Sequence, residues 1–286
     1  MIHKKIFLSE DKSITLDCYL YEISHEIPYR SERPAVLVCP GGGYNICSDR
    51  EADPIAFGYS AAGFHTFILR YSLKEKATYP SPLIDLCHAM KTVRDNAEEW
   101  GVKKDQIAVC GFSAGGHLTA SLGVHWNEEK IQNLSGVTAE DIKPNALILS
   151  YPVISSSWME NTNNLSRIIG NGDFDSTYKD INLHTCVGEH TPPSFIWHTF
   201  RDGCVPVRDS LNFAYALEEN NIPFELHIWP NGAHGLSLAN SDVCQKGGDR
   251  DSEQWFDLSV KWLKRLFYNT EEANSEVKKA KYSSKM

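Results

Sequence analysis

A serine between two glycines is the residue best placed to act as a nucleophile. The motif Gly111-Phe112-Ser113-Ala114-Gly115 follows an apolar run at 105–110 and precedes a helix-compatible run that begins at His117. A sharp strand-to-helix turn exposes a serine hydroxyl, but side chains two positions before and after it would collide with the neighbouring strand and helix. The sequence therefore predicts that Ser113 is a nucleophile on such a turn. An ordinary strand-to-helix connection is the alternative.

Three consecutive glycines upstream could stabilise a developing negative charge. An apolar run at 33–39, typical of a buried parallel strand, ends in Pro40-Gly41-Gly42-Gly43-Tyr44. Backbone N–H groups of such a loop can bind an oxyanion together with the N–H of the residue after the nucleophile. We therefore expect an oxyanion hole built from Gly42, Gly43 and Ala114. A flexible turn is one alternative, and a phosphate-binding loop lacks its further sequence signals.

A base and an orienting carboxylate follow two later strand-like runs. Asp202 comes just after the run at 193–200, and His234 lies in the loop after the run at 223–229. In an open parallel sheet, loops at the carboxyl ends of the strands gather in one crevice. Ser113, Asp202 and His234 are therefore expected to meet and to form a catalytic triad.

Other polar residues receive structural interpretations. His198 and His227 lie within expected strands, Asp209 falls on an expected helix, and His117 either lines the site or packs against it. The sequence contains neither H-E-x-x-H nor a paired C-x-x-C motif. We therefore expect no metal site and no cofactor.

Strand-like and helix-like runs alternate along most of the chain. Runs at 4–8 and 14–23 predict an antiparallel entry hairpin, and later runs at 64–70 and 145–150 predict further strands. Helices are expected over 52–62, 82–100, 207–220 and 252–267. This order predicts an α/β fold with a mostly parallel sheet and helices on both faces. We expect one domain over 1–268 and a polar, disordered tail over 269–286.

The charge balance argues against two classes of partner. Lys and Arg number 28 against 37 Asp and Glu, giving a net charge of −9, whereas nucleic acids and anionic membranes attract basic patches. No stretch is long enough to span a bilayer, and the first residues do not resemble a signal peptide. The eight cysteines are scattered, some within apolar runs, as expected of reduced thiols. These features favour a cytoplasmic protein.

Several of these motifs together resemble the α/β-hydrolase superfamily. The matching pieces are residues 40–44, 70–72, 111–117, 202, 205–206 and 232–235. The resemblance is closest to an esterase branch that includes hormone-sensitive-lipase-like enzymes and bacterial acetyl xylan esterases, and the order Ser, Asp, His agrees with it. One departure is Pro40, where the hormone-sensitive-lipase-like pattern has a histidine before the glycines.

The resemblance implies a serine esterase that acts through an acyl-enzyme, with acetylated sugars as expected substrates. This fold commonly inserts a lid near 152–190, but here the segment is short and polar, which leaves little apolar wall for a long acyl chain. Tyr44, His117 and Trp158 are candidate substrate contacts, and packing roles are equally compatible with each. A general carboxylesterase, a serine peptidase or amidase, and a non-catalytic binding module are the alternatives. The sequence leaves the oligomeric state open.

Overall fold

A computed structural model of the chain describes residues 1–24, 26, 27, 31–155, 177, 179–244 and 251–268. The described strands are β1 (Ile2–Phe7), β2 (Thr15–Leu20), β3 (Arg33–Cys39), β4 (His65–Arg70), β5 (Val102–Phe112), β6 (Ala146–Ser150), β7 (Ser194–Thr199) and β8 (Phe224–Trp229). The described helices are α1 (Asp53–Ala61), α2 (Ser81–Asp95), α3 (Ala97–Trp100), α4 (Ala114–His125), α5 (Glu129–Ser135), α6 (Ala139–Ile142), α7 (Val207–Glu219) and α8 (Gln254–Tyr268).

The described strands form one sheet in the order β1-β2-β4-β3-β5-β6-β7-β8. β1 and β2 pair antiparallel, as do β2 and β4, and every later pair is parallel. Because these pairs are parallel, the carboxyl ends of β3 and of β5 to β8 lie at one edge of the sheet. The loops that leave these strands therefore lie side by side, as the sequence predicts.

Side chains of the central strands alternate between the two faces of the sheet, so the core lies in two layers, one on each face. In β3, Ala35 and Leu37 pack on one face with helices α2 and α4, whereas Val36 and Val38 pack on the other with α1 and α8. All four side chains are fully buried, which explains why the strand reads as a continuous apolar run. The α/β-hydrolase fold class, with its antiparallel N-terminal strands, is confirmed.

Two local details differ from the expected helices. The single helix expected over 82–100 is interrupted at Asn96, whose side-chain amide donates to the Thr92 carbonyl at 2.8 Å and so competes with continued helix. Helices α5 and α6 were not predicted. The available signal was a capping box before α6, in which Thr138 and Asp141 bond each other's backbone N–H groups. None of the helices in the described ranges could cross a membrane.

Candidate active site

Ser113 occupies a strained backbone position between β5 and α4. Its φ of 53° and ψ of −117° lie outside the regions that ordinary side chains prefer, at a cost of about 1–3 kcal/mol. A Cβ at Gly111 would lie 2.1 Å from the Gly115 carbonyl oxygen, and a Cβ at Gly115 would lie 2.1 Å from that of Cys39. The turn therefore requires glycine at both positions, for the steric reason that the sequence suggested.

Ser113, His234 and Asp202 form a continuous hydrogen-bonded chain. Ser113 Oγ lies 2.8 Å from His234 Nε2, and His234 Nδ1 lies 2.7 Å from Asp202 Oδ2. An ionised carboxylate can only accept, so Nδ1 carries the ring proton and Nε2 is left to accept the proton of Ser113. The structure thus brings together the three residues that the sequence singles out, which come from the ends of β5, β7 and β8.

Asp202 is held in its charged form by several donors. Its side chain is 1% exposed, and Oδ1 accepts the backbone N–H groups of Cys204 at 2.8 Å and Val205 at 2.9 Å. Burial opposes ionisation, but hydrogen bonds from His198 and His234 outweigh it and hold the pKa of Asp202 below its usual range. Asp202 is therefore ready to fix the tautomer of His234 and to stabilise its imidazolium.

His198 contributes to the site in a way that the sequence did not indicate. Its Nε2 lies 3.2 Å from Asp202 Oδ2 and 3.1 Å from the Val205 carbonyl oxygen, while Nδ1 faces Ser210 Oγ at 2.8 Å. Two acceptors at Nε2 require the proton there. His198 is thus a second imidazole donor to the same carboxylate, and its position at the carboxyl end of β7, four residues before Asp202, was the only available signal.

The glycine loop after β3 leaves backbone N–H groups available beside Ser113. Gly42 has a φ of 126° and Gly43 a φ of 62°, and the Gly42 carbonyl accepts from Asn45 N at 3.0 Å to close the turn. Within the described parts of the chain, no acceptor is bonded to the amides of Gly42 and Gly43. Ala114 is the first residue of α4, where an amide has no intrahelical acceptor. These three amides can serve as donors to a ligand.

Tyr44 and His117, two of the expected substrate contacts, are 4% and 2% exposed, so neither ring lies open on the surface. Substrate contact at these two residues stays a prediction. Tyr44 Oη lies 3.0 Å from His117 Nδ1, and His117 Nε2 donates to the Ile181 carbonyl at 3.1 Å. Burial lowers the pKa of His117 to about 4, so the ring is neutral and accepts the Tyr44 proton. The two rings are also in edge contact, with their centroids 6.1 Å apart.

Other expected features fall partly or wholly outside the described residues. Trp158 lies outside them, as do residues 156–176 and 178 of the expected lid and the tail over 269–286. Within the described ranges, no group of three or more His, Cys, Asp or Glu side chains is arranged to hold a metal ion.

A family model described as BD-FAE matches residues 20–217 of the chain. The match includes Ser113 and Asp202 and ends before His234. Endo-1,4-beta-xylanase B of Butyrivibrio fibrisolvens is 34% identical in an alignment of 228 positions that covers 78% of this chain and 36% of that protein. Acetylxylan esterase of Xylanibacter ruminicola is 28% identical in an alignment of 246 positions that covers 81% of this chain and 45% of that protein. The chain thus spans less than half the length of these curated relatives.

Similarity to a solved structure extends over almost the whole chain. The crystal structure of MGS-M1, an alpha/beta hydrolase enzyme from a Medee basin deep-sea metagenome library, superimposes with a TM-score of 0.75 and 38% identity. The alignment covers 93% of this chain and 98% of that one.

Proposed function

Because the chain belongs to the BD-FAE family and has the α/β-hydrolase fold, we propose that it hydrolyses carboxylic esters through an acyl-enzyme on Ser113. The observation that carries this proposal is the chain of hydrogen bonds from Ser113 Oγ through His234 to Asp202, beside three amides free to donate. A nucleophile, an oriented base and an oxyanion site within one crevice are the parts that acyl transfer needs.

The first half-reaction forms the acyl-enzyme. His234 Nε2 takes the proton of Ser113 as Oγ attacks the ester carbonyl carbon, and the resulting oxyanion is stabilised by the amides of Gly42, Gly43 and Ala114. Asp202 stabilises the imidazolium without taking its proton. When the tetrahedral intermediate collapses, the C–O bond to the alcohol breaks and His234 donates its proton to the leaving oxygen.

The second half-reaction releases the acid. A water molecule loses a proton to His234 Nε2 and attacks the acyl carbon, forming a second oxyanion at the same amides. Collapse breaks the bond to Ser113 Oγ, which recovers its proton from His234. The site needs no group beyond these side chains and backbone amides for either step.

We further propose that the acyl group is small, acetyl foremost, and that the alcohol is a carbohydrate. The names of the two curated relatives, a xylanase and an acetylxylan esterase, support this choice. The sequence argument from the stacking face of Tyr44 no longer supports it, because that ring is buried.

Labelling and hydrolysis together test the nucleophile. Ser113→Ala is expected to abolish ester hydrolysis and covalent labelling by a fluorophosphonate probe, because both reactions need the same Oγ. Ser135→Ala is the matched control, since this buried helical serine donates to the carbonyls of Ile131 at 2.6 Å and Gln132 at 3.3 Å on its own helix. Stoichiometric labelling of the Ser113→Ala protein would assign the nucleophile to another residue.

A series of p-nitrophenyl esters and acetylated xylo-oligosaccharides tests the substrate. Activity should peak at acetyl or propionyl esters and include acetate release from the oligosaccharides. A general carboxylesterase would keep gaining about 0.8 kcal/mol per buried CH₂ and would favour octanoyl esters. Faster cleavage of peptide p-nitroanilides than of esters would indicate a peptidase or amidase.

A further inference from the structure

A buried carboxylate lies behind the glycine loop. Glu51 ends a short 3-10 helix, Asp49–Glu51, and is only 3% exposed. Its Oε2 accepts the N–H of Gly41 at 2.9 Å, and its Oε1 accepts the hydroxyl of Tyr151 at 2.6 Å. Among the described residues, no lysine or arginine forms an ion pair with it. The two hydrogen bonds of the Glu51 carboxylate therefore join the glycine loop, at Gly41, to the residue that follows β6, Tyr151.

Tyr151 extends this contact to the loop that carries His234. Its hydroxyl accepts the N–H of Ser237 at 2.9 Å, so its own proton is committed to Glu51. Its ring packs edge-on against His234, with the ring centroids 5.1 Å apart. Ser237 is held from the other side as well, because Trp255 Nε1 donates to its carbonyl at 2.9 Å. The hydrogen bonds thus run from Gly41 through Glu51 and Tyr151 to the histidine loop.

Resting on the proposed function, we propose that Glu51 is a positioning residue that fixes both the oxyanion loop and, through Tyr151, the His234 loop around Ser113. The glycine loop needs such an anchor because Gly42 and Gly43 carry no side chain and can adopt many backbone conformations. The bond to Gly41 orients the first peptide of this loop. The amides of the next two residues are then left without partners and can face the reacting oxygen.

The chemistry of Glu51 argues against a role in stability alone. Burial raises the pKa of Glu51, and hydrogen bonds from Tyr151 and Gly41 work against that rise. An apolar side chain of similar size is often as stabilising as a buried charge, or more so. A carboxylate at this point is better explained by the two donors that it holds in place.

The titratable and charged groups that interact with Glu51 are His234, Arg50, Tyr151, Tyr71 and Cys110. Burial raises the pKa of the two tyrosines and of the cysteine, so these three stay neutral in the working range. The charges of His234 and Arg50 work against the rise that burial causes in the pKa of Glu51.

Variants with intact core volume test the inference. Glu51→Gln, Tyr151→Phe and the double variant are compared for kcat per site titrated with a fluorophosphonate and for KM. We expect kcat to fall about 100-fold in Glu51→Gln with little change in KM, because misplaced donors cost turnover rather than binding. The double variant should lose less than the product of the single losses.

Two controls separate positioning from folding. Asp85→Asn changes a partly buried carboxylate that accepts the Ser72 N–H at 2.8 Å, and Tyr59→Phe removes a buried hydroxyl that lies 2.7 Å from Ser259 Oγ. Both should keep the wild-type kcat per titrated site and the wild-type KM. Equal losses in these controls would overturn the inference.

The outcomes distinguish this inference from the proposed function. If Ser113→Ala is inactive while Glu51→Gln and Tyr151→Phe turn over like the wild type, the positioning role is wrong and the serine mechanism stands. If Ser113→Ala remains active, the proposed function itself is wrong. Should Glu51→Gln fail to fold, Tyr151→Phe decides alone, and an unchanged kcat in that variant overturns the inference.

Discussion

Helix α4 begins directly after Ser113 and ends at His125, and the polar groups at its two ends are arranged differently. At the first end the backbone of Ser113 is strained and nearby amides lack acceptors. At the second end His125 bonds Glu128 Oε1 at 2.7 Å through Nδ1 and the Asp180 carbonyl at 2.8 Å through Nε2. The first end has amides without acceptors among the described residues, whereas at the second end both ring nitrogens of His125 are bonded within the fold.

The charge of His125 follows from the same contrast. Burial alone would lower the pKa of His125, but Cys186 and Glu128 outweigh it and raise this pKa to about 10. Both ring nitrogens face acceptors, so the ring is an imidazolium. A cation at a helix C-terminus is also stabilised by the helix dipole. Along α4, amides without acceptors lie at the end where the reaction is proposed to occur, whereas the His125 ring at the other end is paired through both nitrogens.

The largest expected effect comes from adding a methyl group near the Ser113 end of α4, and the same change near the His125 end serves as the comparison. In Gly115→Ala the new Cβ would lie 2.1 Å from the backbone oxygen of Cys39, whereas in Gly123→Ala it would meet a movable methyl of Leu147 at 2.4 Å. We expect Gly115→Ala to lose hydrolysis and folding together. Gly123→Ala should lose about 1–3 kcal/mol of unfolding free energy and keep its kcat. Urea unfolding measures the unfolding free energy of each variant, and kcat per titrated site measures its activity. Wild-type turnover in Gly115→Ala would contradict the steric argument.

A smaller loss of activity is expected when the carboxylate that orients His234 is replaced. Asp202→Asn should lower kcat by about 10⁴, because an amide can hold the imidazole in the wrong tautomer. His198→Ala should cost less, since Asp202 keeps the backbone donors of Cys204 and Val205. Steady-state kinetics across pH measure both. Near-wild-type turnover in Asp202→Asn would assign the orienting role to another acid.

The smallest effect is expected at the satisfied end of α4, and in stability only. The pKa of His125 is raised from 6.5 to about 10, so its contribution is complete below pH 6.5 and is lost as pH rises through 10. The unfolding free energy of the wild type should therefore fall across this window by more than that of Glu128→Gln. Glu129→Gln, an exposed neighbour, is the control and should behave like the wild type. If the unfolding free energies of the wild type and Glu128→Gln change equally with pH, the ion pair between His125 and Glu128 is contradicted.

The sequence predicted those parts of the molecule whose constraints are local. The glycines around Ser113 are required by contacts within a few residues of the turn, and strands such as β3 show as apolar runs because both faces are buried. The third member of the triad, His234, follows from the rule that parallel strands end at one edge. These expectations needed no knowledge of how distant residues pack.

Features that depend on packing between distant segments were missed. Tyr44 is buried, and its hydroxyl contacts His117, which is 73 positions away. No local pattern in the sequence indicates this contact. Glu51 resembles any acidic residue near a helix start, and its partner Tyr151 is 100 positions later. The contact between His198 and Asp202 depends on how the chain folds back after β7. The sequence therefore indicated the reacting groups better than the residues that hold them in place.

The bond between Trp255 and the Ser237 carbonyl makes the order of synthesis important. Ser113 and the glycine loop leave the ribosome before helix α8, which holds the loop that bears His234. A growing chain therefore carries its nucleophile for more than a hundred residues before the base can be fixed beside it. Under the proposed mechanism, ester cleavage would begin only when helix α8 docks, so the appearance of activity reports the docking of this helix more directly than the content of secondary structure does.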